Sequence, residues 1–221
     1  MPNITVVNES TTVTGADALR ISLALNTFAE QVCKAWSLPA HTVGLGQSRV
    51  DGWNLCIVDK FPNPAMAKTA LGYHEVLNGY PIGYILAHPY GTQRPALGRY
   101  TAPITFLGKQ LTKPSYLPGL VTVMAHELAE MLIDPEINMT KTDSKGRNWL
   151  MEVCDHTVGL IAATLPIGSS TPVLPDFTLP SFYDVKGKPP YSLLNVPPMP
   201  FYLVPGAYGY YKDANGVLHK L

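Results

Sequence analysis

LPGLVTVMAHELAEMLIDP, residues 117–135, decides how this chain is read. Val121, Met124, Ala125, Leu128, Met131 and Leu132 recur at helical spacing, and at about 100° per residue they form one apolar face. His126, Glu127, Glu130 and Asp134 fall on the other side, with His126 and Glu130 one turn apart. Pro135 lacks an N–H and disfavours helix at the residue before it, so one helix is expected over about 118–134. Between Tyr116 and Thr140 there are four acids and no Lys or Arg. Like charges three or four positions apart cost a helix roughly 0.2–0.5 kcal/mol per pair. A cation beside His126 would turn that repulsion into ligation. HExxE supplies an imidazole and a carboxylate at the i, i+4 spacing that zinc accepts.

His126 and Glu130 are therefore the first two expected ligands of a divalent ion, zinc before other divalent cations. A third comes from the apolar run Trp149-Leu-Met-Glu-Val-Cys-Asp-His, which carries Glu152, Asp155 and His156. In one arrangement Glu152 ligates while Asp155 accepts the second ring N–H of His126, fixing its tautomer. In the other Asp155 ligates and Glu152 supports; the first ranks slightly ahead, and His156 is a further candidate. A fourth position open to water would make the site catalytic rather than closed. Glu127, beside the first ligand, is then the general base that takes a proton from metal-activated water and passes it to a leaving amine. The plain alternative is a solvated helix face, against which stands the second acidic cluster inside an apolar run. His74 reads mainly as a hydrogen-bonded structural residue, with an oxyanion-stabilising role as the alternative. Cys154 reads as a small buried apolar residue. Because imidazole ligates only when neutral, metal affinity is expected to fall below about pH 6.5.

At 221 residues the chain fits one domain of moderate size, or one domain with an appendage. Sixteen basic residues balance sixteen acidic ones, which gives no electrostatic case for nucleic acid or an anionic membrane. Low charge with 21 Pro and 12 Tyr suits a chain packed against other chains. Cys33, Cys56 and Cys154 form no CxxC pair, so neither a thiolate zinc site nor a disulfide framework is indicated, in keeping with a reducing cytosol. No signal peptide opens the sequence, and no apolar run reaches the roughly 18 residues of a membrane span.

In chain order, Asn3 to Asn8 alternates as a strand. Thr14 and Asp17 form a capping pair for a packing helix over about 15–36. His41 to Leu45, Trp53 to Asp59 and Pro81 to His88 read as strands, the last as an edge able to receive an extended peptide. Gly91 to Pro118 is loop-rich. From 165 to 205 the chain is proline-rich with little periodicity, which predicts an extended surface arm ordered by another chain. Ala207 to Lys212 and Val217 to Leu221 read as a terminal hairpin. The expected fold class is α+β, divided into a domain over 1–164, the arm over 165–205 and the hairpin over 206–221, the last two packed on the same domain or on a neighbouring subunit.

Trp53-Asn-Leu-Cys-Ile-Val-Asp, Ala70-Leu-Gly-Tyr-His-Glu, Pro81-Ile-Gly-Tyr, the HELAEMLIDP segment, Glu152-Val-Cys-Asp and Pro175-Asp-Phe-Thr-Leu-Pro-Ser-Phe together resemble a family of poorly characterised phage and prophage proteins. The resemblance spans roughly residues 50 to 185. Its HExxE helix is similar to those of zincin-type metallopeptidases, which implies a zincin-like mixed sheet with an active-site helix, and His126, Glu127 and Glu130 as ligand, base and ligand. Zincins more usually carry a second histidine where Glu130 stands, so this site is more anionic. The resemblance implies a phage gene product made in the host cytoplasm, associated with the virion and its other subunits, with a peptide as substrate. A structural or adaptor virion protein with a structural metal site is the alternative.

Overall fold

A computed structural model describes residues 3–66, 70–88, 104–106, 109–111, 119–158, 162–164 and 172–221. Its main sheet has five strands. β1 (Asn3–Asn8) pairs in parallel with β2 (Thr42–Leu45) and with β3 (Asn54–Val58), and β3 pairs in parallel with β5 (Tyr80–Leu86). β4 (Gly72–Leu77) is antiparallel to β5 and forms the edge. This corrects the expectation that Pro81 to His88 would be the edge. That run is apolar and buried on both faces, as an interior strand must be, whereas the half-exposed β4 lies outside it.

The two-residue period sorts the strand side chains between two cores. Ile4, Val6, Leu55, Ile57 and Ile85 face the helices, while Val7, Cys56, Val58, Tyr73, Ile82 and Tyr84 pack on the opposite face. α1 (Gly15–Trp36) begins where the Thr14 hydroxyl accepts the Asp17 N–H, and it stops at Ser37, which turns left-handed at φ 54°. It lays Ile21, Leu25, Phe28 and Val32 on the sheet, and α2 (Leu120–Ile133) packs beside it on the same face.

α2 is enclosed on more sides than its amphipathic pattern implies, since Glu127 and Glu130 are buried with the apolar residues. Asp134, expected to share the site side of the helix, instead caps the following turn. Its carboxylate accepts the N–H groups of Asn138 (3.0 Å) and Met139 (2.9 Å).

Two short ladders, β6 (Ile104–Phe106) with β7 (Lys109–Leu111) and β10 (Ala162–Thr164) with β11 (Val173–Pro175), stand apart from the main sheet. A second sheet orders β8 (Thr140–Thr142), β9 (Asn148–Leu150), β12 (Tyr210–Lys212) and β13 (Leu218–Lys220) as β13-β12-β9-β8. The terminal hairpin thus adds to β9 rather than standing free.

The described part of the proline-rich tract, 172–205, packs on its own chain, one of the two placements expected for it. Phe177, Phe182, Tyr183, Tyr191 and Val204 are buried, Phe177 meets Phe28 edge-on at 5.7 Å, and Trp36 Nε1 donates to the Thr178 carbonyl at 3.0 Å. Prolines deprive the tract of ladder bonds, and its aromatics hold it in place instead. The expected loop over Gly91–Pro118, apart from 104–106 and 109–111, and residues 165–171 of the tract lie outside the described residues.

Candidate metal centre

Three elements converge on the acidic side of α2. The helix carries His126, Glu127 and Glu130; β4 carries His74; a tight turn through Cys154 into the 3-10 helix Asp155–Thr157 carries the rest. The proline-rich segment buttresses that turn, because the Thr178 N–H and hydroxyl both bond the Val153 carbonyl, at 2.9 and 3.0 Å.

His126 Nε2 faces two carboxylates at once, Glu130 Oε1 at 3.3 Å and Asp155 Oδ1 at 3.1 Å. Around a tetrahedral zinc with bonds near 2.0–2.1 Å, neighbouring ligand atoms stand about 3.3–3.4 Å apart, so both spacings fit donors to one ion. A carboxylate that only oriented the ring would face Nδ1. Asp155 faces the same nitrogen as Glu130, although the donors that all lie within 4.8 Å of one another are those of His126, Glu130 and Cys154. Cys154 joins them: its Sγ, a His126 nitrogen and a Glu130 oxygen lie within 4.8 Å of one another, and its N–H donates to Glu130 Oε1 at 3.3 Å.

A second triad shares Glu130. His74 Nδ1 lies 3.1 Å from Glu127 Oε2 and 3.8 Å from Glu130 Oε2, so Glu130 turns one oxygen to each histidine. Two glycines allow the strands to come this close to α2. A Cβ on Gly72 would stand 2.7 Å from Val123 Cγ1 and 3.0 Å from Glu127 Oε1, and one on Gly83 would stand 3.3 Å from Met131 Sδ. His74 and Gly83 are register partners across β4 and β5, which brings ring and gap to the same level of the helix.

Burial alone would strip the proton from these histidines, but the carboxylates outweigh it. His126 is held well above the usual imidazole range by Glu130 and Asp155, and His74 is raised to about 9 by Glu127, Glu130 and Glu152. Burial raises Glu130, with His126 opposing and Asp155 reinforcing; burial and then Glu130 push Glu152 well up. Burial likewise lifts the Cys154 thiol. Among the described residues these carboxylates form ion pairs only with histidines, so the site's excess of negative charge suits a cation. A metal at this site would have to displace the proton that His126 holds.

Of the third-ligand candidates, Asp155 is the one in contact with His126. Glu152 adds negative potential and, like Asp155, belongs to neither triad among the described residues. His156 sits instead in an aromatic cluster, stacked on Phe182 at 5.0 Å with Nδ1 2.9 Å from the Tyr183 hydroxyl; burial lowers it to about 4, against Asp155. Glu127 groups with His74 and Glu130 rather than with His126, and its hydrogen-bond partner is His74.

His74 and Cys154 are the site residues that sequence reasoning passed over. Alternation along β4 puts Gly72 and His74 on the face opposite Tyr73, which signals a helix-facing histidine. The β4–β5 register that brings it to Glu127 has no sequence signature. No protein-family model, curated protein or solved structure matches this chain, so the reading of the site rests on its own geometry.

Proposed function

We propose that this chain is a zincin-like, metal-dependent peptide hydrolase of phage type that binds one zinc ion through His126, Glu130 and Asp155. The observation that carries the proposal is the convergence of Glu130 and Asp155, 25 positions apart, on the same ring nitrogen of His126 within a buried acidic site. Zinc would polarise the scissile carbonyl and make water acidic enough to attack near neutral pH. Glu127 accepts the proton of the attacking water and returns it to the leaving amine. β4, an antiparallel edge strand carrying His74 into the site, offers its outer side to an extended peptide substrate. The resemblance to phage and prophage proteins points to a role in a virion, alongside its other subunits.

A second reading, a structural zinc site in a virion adaptor, has its own support. Cys154 is near enough to His126 and Glu130 to close the coordination sphere with a fourth protein donor. Digestion of a peptide library with wild type and Glu127→Gln separates the two. Gln keeps volume and hydrogen bonding, so hydrolysis predicts retained zinc with turnover reduced on the order of 100-fold or more. Zinc-loaded wild type that cleaves nothing assigns the ion a structural role.

A further inference from the structure

We infer that His74 is the positioning residue for the general base: its Nδ1–H holds Glu127 Oε2 and thereby fixes the carboxylate that removes the proton from water. The inference deepens the hydrolytic reading and rests on it. His74 and Glu127 lie 53 residues apart and on different elements, so nothing local to the helix pairs them. Both side chains are enclosed, 6% and 7% exposed, and their contact of 3.1 Å is a hydrogen bond shielded from water. Gly72 leaves room beside the other oxygen, where an added Cβ would stand 3.0 Å from Oε1. One oxygen is thus held by the ring while the other lies beside the strand backbone, where only a glycine fits.

The same nitrogen of His74 lies 3.8 Å from Glu130 Oε2, so the imidazole also separates the base from the ligand one helical turn away. An anionic base three residues from an anionic ligand would otherwise be driven outward by their repulsion. Because β4 is an edge strand, His74 links the base to the element proposed to receive the peptide. Substrate seated on that edge would then meet a base already aligned with it.

The test uses the zinc-loaded full chain with His74→Ala and His74→Asn, assayed on peptides that wild type cleaves, alongside zinc content and nitrogen-15 spectra of the histidine rings. Loss of a partner that orients a catalytic group commonly costs about 10–100-fold in activity. His74→Ala is accordingly expected to keep one zinc and lose about that much kcat with KM little changed. His74→Asn, whose amide N–H can replace Nδ1–H, restores most of the loss, and the wild-type ring spectrum shows a proton on Nδ1. An alanine variant with wild-type kcat overturns the inference while leaving the hydrolytic reading in place. So does an unprotonated Nδ1, or zinc lost from the alanine variant, either of which would make His74 a ligand. Wild type that binds zinc and cleaves nothing removes the inference together with the hydrolytic reading. Should the alanine variant fail to fold, His74→Asn and the wild-type spectrum decide.

Discussion

Truncating Phe177 asks whether the proline-rich segment belongs to the folded body or merely lies against it. The ring is fully buried and meets Phe28 of α1 edge-on at 5.7 Å and 89°. Its neighbour Thr178 bonds both Trp36 and Val153. Phe→Ala in a core of this kind costs about 3–5 kcal/mol, of which the edge-on pair accounts for roughly 0.5–1.5. That is a large part of the roughly 5–15 kcal/mol that holds a domain folded. For a chain of this size each kcal/mol moves Tm by about 2–4 °C, so Phe177→Ala should melt about 6–20 °C below wild type by calorimetry at micromolar concentration. Met199→Ala in the same segment, with 55% of the residue exposed, should stay within about 0.5 kcal/mol of wild type. A Phe177→Ala protein melting within about 2 °C of wild type would refute the reasoning and return the segment to the status of an arm.

Gly72→Ala forces a methyl against Val123 and Glu127, so a loss of about 1–3 kcal/mol is expected together with reduced turnover. Unchanged stability and activity would show that β4 does not press on α2. Burial keeps His156 neutral, with its pKa lowered from the usual 6.5 to about 4, so on acidification the unfolded chain takes up the proton first. That contribution is complete above about pH 6.5 and is lost as pH falls towards 4, about 3 kcal/mol at 1.36 kcal/mol per unit. Urea unfolding of wild type and His156→Gln at pH 7 and pH 4.5 measures it; parallel curves for the two proteins would contradict the assignment.

The elements with strong periodicity were legible. α1 and α2 lie where their apolar spacing and bounding Thr14, Pro39 and Pro135 put them, and the two faces of β3 divide as the alternation of Leu55 and Ile57 against Cys56 and Val58 implies. Long-range pairing was not. Nothing in Pro81 to His88 says that β4 folds back outside it, because strand order depends on partners far away in sequence. The tract over 172–205 lacks periodicity, so its burial is carried by single aromatics in irregular backbone, which no repeat announces. In the site, His126 and Glu130 followed from helix geometry alone. Asp155 against Glu152 depended on the course of a tight turn at Cys154, and His74 on the register between two strands.

Metal content of the purified chain tests the central claim most directly, because every functional reading of the acidic side of α2 begins with an ion there. After exhaustive dialysis against trace zinc, wild type should retain one zinc per chain, Glu152→Gln should retain it as well, and His126→Ala and Asp155→Ala should lose it. His126→Ala should also melt lower, since Glu130 and Asp155 are left buried without the ring or the metal between them. Wild type without stoichiometric metal, paired with a His126→Ala protein of equal stability, would contradict the account.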